Sequence, residues 1–453
     1  MHARPGETIA ALATPPGAGA VAIVRISGPE TAALAAVLCG PVTLPPRVAT
    51  RVRLRDPLGA TLDRALALWF PGPASYTGED VLELHVHGST AVAGATLIAA
   101  LAAGARLATP GEFTRRAYLH GKLDLLAAEA VADTIAAEDR SAARAAVARL
   151  SGGLATRVEG LRVELAELLE RLAATLDFPD EVPEPDRDAC SATLGGIEAA
   201  LGELTRDFER GRLVREGVSI AIVGAPNAGK STLLNALLGS ERALVSEEPG
   251  TTRDTIEERV ALGPFSGRLI DTAGLREGAG PLEAAGIARS RRALAEVRVA
   301  LVVVDAADLA AARAVAPLLA ETRGRARVVF FTKADLGRGA YDVRAEPEAA
   351  ALLGSARRTA DVEGLRTALA AAAAGGTAVD LERPFLATAR QADEIWEASR
   401  ALGFARATLA AGDAIDLVAP DLFAASAALG RLTGREATEA VIDAIFARFC
   451  IGK

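Results

Sequence analysis

At 453 residues the chain is too long for one ordinary domain of about 150 residues, and with 50% hydrophobic residues it is too apolar to stay disordered. Aromatic residues are only 4%, so Ala, Leu and Val must build the core. A formal charge of −8 excludes a general polyanion-binding coat, so any nucleic-acid contact must be local.

Three cysteines, Cys39, Cys190 and Cys450, are odd in number, far apart and without metal-type spacing. They point to a reducing cytoplasm rather than a disulfide frame. The first residues carry no charged-then-apolar signal pattern, which also predicts a cytoplasmic protein.

Residues 1–120 read as an α+β module. Strand candidates are Val21–Ile26, Arg64–Phe70 and Val81–His87. The uncharged run Gly88–Ala105 follows; it is rich in Ala, Gly and Thr, which favours a buried helix over a membrane span. From 121 to 212 the pattern turns helical, with Leu150, Leu154, Val158, Leu161, Leu165, Leu168 and Leu172 forming one apolar stripe that reads as core or dimer seam. Residues 213–378 alternate strand, loop and helix, the texture of a parallel α/β sheet. Residues 379–453 are helical again, so the α/β segment reads as an insertion into a helical domain that is split in sequence. The predicted class is multidomain α/β.

The basic residues are unevenly chosen. Only four are Lys (Lys122, Lys230, Lys333 and Lys453) and the other 46 are Arg, while Asn occurs only at 227 and 235. A compact ammonium and a planar guanidinium are not interchangeable in tight phosphate sites, so the surviving lysines are candidates for function.

Val218–Val223 reads as a buried strand leading into Gly224-Ala-Pro-Asn-Ala-Gly-Lys230-Ser231 and then an apolar helix. That is the phosphate loop in the context that gives it meaning. Backbone N–H groups around Asn227, Ala228, Gly229 and Thr232 would wrap the phosphates, Lys230 would bridge the β- and γ-phosphates, and Ser231 would ligate Mg²⁺. Further pieces follow in the order a guanine-nucleotide switch requires. Gly250-Thr251-Thr252 places Thr252 to close on Mg²⁺, and Asp271-Thr272-Ala273-Gly274 supplies an acid for the Mg²⁺ shell and an N–H for the γ-phosphate. In Thr332-Lys333-Ala334-Asp335 the aspartate would accept from guanine, with Ser355-Ala356 behind the base. The ordered set predicts GTP binding. Thr332 stands where the guanine motif usually has Asn, which predicts a weaker tie between base and phosphate loop. No glutamine follows Gly274, so another group must place the attacking water, with Glu283 and Glu277 as rival candidates. Asn227, a neutral oxygen beside phosphates, suits a monovalent cation. His85 and His87 share a strand face but lack further ligands nearby for a metal.

These residues, together with Thr14-Pro-Pro-Gly17, Tyr76-Thr-Gly-Glu-Asp80 and the terminal Phe449-Cys-Ile-Gly-Lys453, resemble the MnmE (TrmE) family of tRNA-modification GTPases over essentially the whole chain. The resemblance implies an N-terminal folate-binding and dimerising domain, a split helical domain and an inserted Ras-like G domain. It assigns K⁺ to Asn227, with backbone carbonyls near Ser246, Glu248 and Thr251, and places Glu247 and Pro249 in the same nucleotide loop. It singles out Glu283 as the water-orienting residue. Arg25, Glu83, Lys122 and Lys453 correspond to contacts of a 5-formyl- or 5,10-methylene-tetrahydrofolate, and Cys450 to a cysteine needed for modification.

By that resemblance the chain is a K⁺-dependent, cytoplasmic, homodimeric GTPase with no membrane segment. With an FAD-containing partner of the MnmG (GidA) family, in a heterotetramer, it adds a carboxymethylaminomethyl or aminomethyl group to C5 of the wobble uridine of certain tRNAs. Two other functions remain open on the residues: a ribosome-assembly GTPase, and a folate-dependent one-carbon transferase with a regulatory G domain. Arg25 could also be a surface charge, and Cys450 a buried apolar filler.

Overall fold

The structure, a computed structural model, describes residues 6–137, 140–178, 180–206, 208–225, 227–239, 257–263, 265–271, 297–308, 322, 324–336, 350–375 and 385–453. The chain divides into two compact units, one of residues 1–132, 149–198 and 393–453, the other of residues 133–148 and 199–392.

The first unit is built on a six-stranded sheet. In chain order its strands are β1 (Ile9–Leu12), β2 (Val21–Ser27), β3 (Thr50–Arg55), β4 (Thr61–Phe70), β5 (Val81–His87) and β6 (Arg106–Leu107). The spatial order is β3-β4-β5-β2-β1-β6, antiparallel except for the β1–β6 pair. Period-two alternation decides which face is buried. Ala22, Val24 and Ile26 of β2 and Leu82, Leu84 and Val86 of β5 enter one core with Leu34 and Leu38 of helix α1 (Thr31–Cys39). The uncharged run forms helix α2 (Thr90–Ala102), capped by the Ser89 hydroxyl and buried through Ala93, Ala99 and Ala100. The opposite face carries Arg25, Glu83 and His85, whose side chains are the functional candidates.

The leucine stripe lies on a 25-residue helix, Gly153–Asp177, buried from Leu154 to Leu172. Its first predicted member, Leu150, ends the preceding helix instead, because Gly152 at φ 77° takes the left-handed conformation between the two. The C-terminal helix Glu439–Phe446 starts on the Thr438 hydroxyl cap. Its Ile442, Ile445 and Phe446 join Phe449, Leu125 and Ala128 in one apolar cluster. That cluster anchors the tail that follows.

The second unit holds another six-stranded sheet, with β7 (Val218–Val223), β8 (Glu257–Leu262), β9 (Phe265–Asp271), β10 (Val299–Asp305), β11 (Ala326–Thr332) and β12 (Ala350–Leu353). Its order is β12-β11-β10-β7-β9-β8, parallel except where β8 returns against β9. Strands β7, β10 and β11 are near-continuous buried runs, as a sheet covered on both faces requires. No helix among the described residues is long and apolar enough to cross a membrane.

Candidate functional site

Strand order reverses between β7 and β10, and ligands of open α/β sheets bind at such a switch point, beyond the carboxyl ends of the strands. The phosphate loop leaves β7 at that point. A Cβ on Gly224 would stand 2.2 Å from the Val303 carbonyl oxygen of β10, so the loop can pass the neighbouring strand only as glycine. Asn227 at φ 61° and Gly229 at φ 94° carry the left-handed turns that bring the chain round to helix α3 (Lys230–Leu238). Asn is among the few side chains that tolerate that conformation, which is a second reason for its survival in an Asn-poor chain. Lys230 opens the helix, and its ammonium donates to the carbonyls of Gly224 (2.9 Å) and Ala225 (2.8 Å) inside the loop. A cation is therefore fixed at the centre of a backbone cradle at a helix N-terminus, the arrangement that binds phosphate.

The loop after β11 lies against the phosphate loop. Thr332 is buried, and its hydroxyl donates 2.6 Å to the Ala228 carbonyl, with Val304 O at 3.1 Å. Thr332 thus joins the two loops directly. Lys333, at φ 61°, donates to Asn227 O (2.9 Å) and to Asp305 Oδ2 (2.6 Å). Sequence reasoning did not single out Asp305, the last residue of β10, which lies opposite Thr332 in the sheet register. Asp335 is exposed, and a hydrogen bond from Ser355, then its own backbone amide, hold its carboxyl below the usual range. Ser355 is itself buried, its N–H bonded to Asp361 Oδ2 at 2.8 Å. The Asp335 carboxyl therefore stays ionised at neutral pH, the state an acceptor of two N–H groups requires. Asp271 is the last residue of β9, in register with Ile222 of β7, which brings its backbone beside the phosphate loop. Ser246–Thr252, Thr272–Gly274 and both candidate glutamates, Glu277 and Glu283, lie outside the described residues.

A second group forms in the first unit. Arg25 of β2 faces Glu83 of β5 across the sheet register, with Nε and Nη2 at 2.9 and 2.8 Å from Oε1. Its guanidinium sits 5.7 Å from the centroids of both Tyr76 and Phe113, a cation–π arrangement. Nη1 reaches the Gly452 carbonyl at 3.4 Å. The tail reaches this place because Gly452 runs at φ 101° directly over the Leu12 carbonyl and because the Gly111 N–H donates to Cys450 O. Burial lowers the Lys453 pKa, Arg25 adds to that, and Glu83 opposes it. Arg25, Glu83 and Lys453 thus converge from residues over four hundred positions apart. Cys450 is exposed. Lys122 is exposed too, and its ammonium donates 3.1 Å to the Pro73 carbonyl, a contact outside that trio.

Beneath the trio runs an ion network that sequence reasoning missed. Glu112, 1% exposed, accepts from Arg106, from Arg116 and from the Thr109 N–H. Arg116 continues to Glu79, which also accepts from Ser27 at 2.8 Å. Burial raises the Glu112 pKa, but the bonds from Arg106, Thr109 and Arg116 outweigh it and hold the carboxyl at about 2, against 4.5 for a free glutamate. A depressed acid stabilises the fold above its unfolded pKa, on the order of 3 kcal/mol, and that contribution is lost as pH falls from 4.5 to about 2. Glu112→Gln should lower the melting temperature at neutral pH and lose less on acidification than the unsubstituted chain. Parallel pH curves in thermal melts would show that Glu112 is not the group responsible.

A parallel sheet with a glycine-walled phosphate loop at its switch point, tied to a Thr-Lys-Ala-Asp loop, defines the second unit as a P-loop nucleotide-binding fold of the GTPase type. Comparison with known proteins makes this specific. A family described as the MnmE helical domain matches residues 125–450, and one described as the GTP-binding protein TrmE N-terminus matches residues 8–122. Proteins described as tRNA modification GTPase MnmE match across the whole chain. Those of Opitutus terrae and Moorella thermoacetica are each 42% identical, covering 99% of both chains, and that of Neisseria meningitidis serogroup A is 41% identical over 98% of this chain and 99% of its own. The G domain of the T. maritima FeoB iron transporter aligns with 34% of this chain and 98% of its own at 21% identity and a TM-score of 0.26, too low to carry any inference. The chain belongs to the MnmE family.

Proposed function

We infer that the chain is a GTP hydrolase acting in tRNA modification, and that its reaction is the installation of a carboxymethylaminomethyl or aminomethyl group at C5 of the wobble uridine. The observation that carries the GTPase half is the bonding of Thr332 and Lys333 to the phosphate loop, which supports reading Lys230 and Asp335 as parts of one guanine-nucleotide site. Lys230 holds the β- and γ-phosphates, Asp335 selects guanine, and Ser231 with Thr252 holds Mg²⁺. Asn227, exposed on its left-handed turn, would offer K⁺ a neutral oxygen beside the phosphates, and by the family resemblance carbonyls near Ser246, Glu248 and Thr251, outside the described residues, would be its further ligands. K⁺ would supply positive charge between the β- and γ-phosphates. Glu283 orients the attacking water.

The trio in the first unit fits a reduced folate. Two cations, Arg25 and Lys453, can meet carboxylates, and Glu83 can accept from the amino edge of a pterin, with Tyr76 and Phe113 as apolar wall. The folate would supply the one-carbon unit. Cys450, exposed three residues before Lys453, is the candidate acid, base or nucleophile for the tRNA base. The proposed organisation is a folate-binding, dimerising domain at 1–120, a helical domain at 121–212 and 379–453, and a G domain at 213–378. A cytoplasmic homodimer works with an FAD-containing MnmG-type partner in a heterotetramer, and GTP hydrolysis opens and closes the paired G domains.

GTP turnover should be faster in KCl than in NaCl at equal ionic strength, and Asn227→Ala should abolish the difference. Equal rates for the unsubstituted chain in both salts would remove K⁺ from the reaction.

A further inference from the structure

The outer face of the first sheet holds more than the Arg25 group. Strand β3 reads Thr-Arg-Val-Arg-Leu-Arg, with Val52 and Leu54 buried and Arg51, Arg53 and Arg55 exposed. Arg53 stands directly opposite Arg64 of β4, which is also exposed. Side chains so paired have Cβ atoms about 5 Å apart, and like charges there cost stability. The acids nearby are already engaged: Asp63 accepts from the His87 ring at 2.8 Å, and Asp56 caps the N–H groups of Leu58 and Ala60. None of the four arginine side chains has a carboxylate partner among the described residues. Four uncompensated charges are therefore gathered on one edge of a chain whose net charge is −8.

The sheet register connects this edge to the Arg25 group. Row by row, Arg51 lies opposite Leu66 and Leu66 opposite His85, while Leu68, two residues along the same face, lies opposite Glu83 and so beside Arg25. Three strand spacings of about 4.8 Å separate β3 from β2, roughly 14 Å in all. Alternate arginines along β3 are about 6.8 Å apart, a row of point charges suited to a chain of phosphates and unsuited to a single small anion.

We propose that Arg51, Arg53, Arg55 and Arg64 form a docking face for the phosphate backbone of an RNA, holding it beside the Arg25–Glu83–Lys453 group. This rests on the tRNA-modification function inferred above. It gives that function a surface and gives the like-charged Arg53–Arg64 pair a role.

The test measures tRNA binding by the full-length protein between about 50 and 200 mM salt. Arg51→Ala/Arg53→Ala/Arg64→Ala should weaken binding at least about tenfold and flatten the dependence of log K on log salt by about 0.7 to 0.9 per lost phosphate contact. GTP turnover without tRNA should not change. Arg53→Glu creates an ion pair with Arg64, so it should fold at least as stably and still bind tRNA more weakly. Unchanged affinity and slope in both variants would overturn the proposal, as would a change confined to the oligomeric mass, which would mark the face as a protein contact. If the unsubstituted protein binds no tRNA at any salt, the modification function fails together with the docking face. Unchanged binding in the variants removes the arginine face alone.

Discussion

Gly452→Ala is expected to abolish the tRNA-modifying function while leaving GTP turnover intact. Gly452 occupies φ 101°, where a side chain is strained by about 1–2 kcal/mol before any contact is considered. An added Cβ would also lie 2.2 Å from the Leu12 carbonyl oxygen and 3.1 Å from the Ala13 Cα. These are backbone atoms of β1 and its continuation, and they cannot swing aside as the end of a flexible side chain can. The tail must instead lift away, and with it go the Gly452 carbonyl that Arg25 reaches and the position of Lys453. Phe449 remains in its apolar cluster, so the first unit should keep its fold and melt within a few degrees of the unsubstituted chain. The measurement pairs GTP turnover with the modified-uridine content of tRNA in cells carrying the variant. A loss of about 100-fold or more in modification with normal GTP turnover is the expected pattern. Full modification would show that the tail's seat over Leu12 is not needed for the chemistry.

Lys230→Ala should have the complementary effect and lower GTP turnover by about 100-fold or more, the usual consequence of removing a charge aimed at the transferring phosphoryl group. The ammonium is the cation of the loop, held by the Gly224 and Ala225 carbonyls. Arg cannot stand in for it, because its planar fork is larger and cannot settle between those two carbonyls. Lys230→Arg should therefore be nearly as inactive as Lys230→Ala, although the charge is kept. Steady-state GTP hydrolysis with both variants decides this. If Lys230→Arg keeps normal turnover, the cradle is looser than its geometry implies.

The contrast between the two sites shows what was legible in the residues. The phosphate loop is local: strand, loop and helix follow within twenty residues, and each has its own periodicity or glycine signal. Strands β5 and β7 fall where their apolar patterns put them. Strand β1, Ile9-Ala-Ala-Leu12, was missed because it is short and half alanine, and β6 has only two residues. Strand β3 was missed because three of its six residues are arginine. The Glu112 network could not be read at all, since its members are as distant in sequence as Glu7 and Ser27, and the burial that makes it matter exists only after folding. Thr332 shows a subtler limit. The residue type predicts a weaker tie to the base, but it does not reveal that the hydroxyl bonds the Ala228 carbonyl of the phosphate loop. Of the four lysines, Lys230 and Lys333 bond within the phosphate-loop region and Lys453 lies by Arg25, while Lys122 meets the Pro73 carbonyl.

In the function proposed, GTP hydrolysis in the second unit serves chemistry on a tRNA base at the tail of the first. Mass spectrometry of nucleosides from tRNA of a strain lacking this gene tests it most directly. The account predicts loss of the 5-substituted wobble uridine, restored by the unsubstituted gene and by neither Lys230→Ala nor Cys450→Ser. Unchanged uridines alongside immature ribosomal subunits would contradict it and point to a GTPase of ribosome assembly instead.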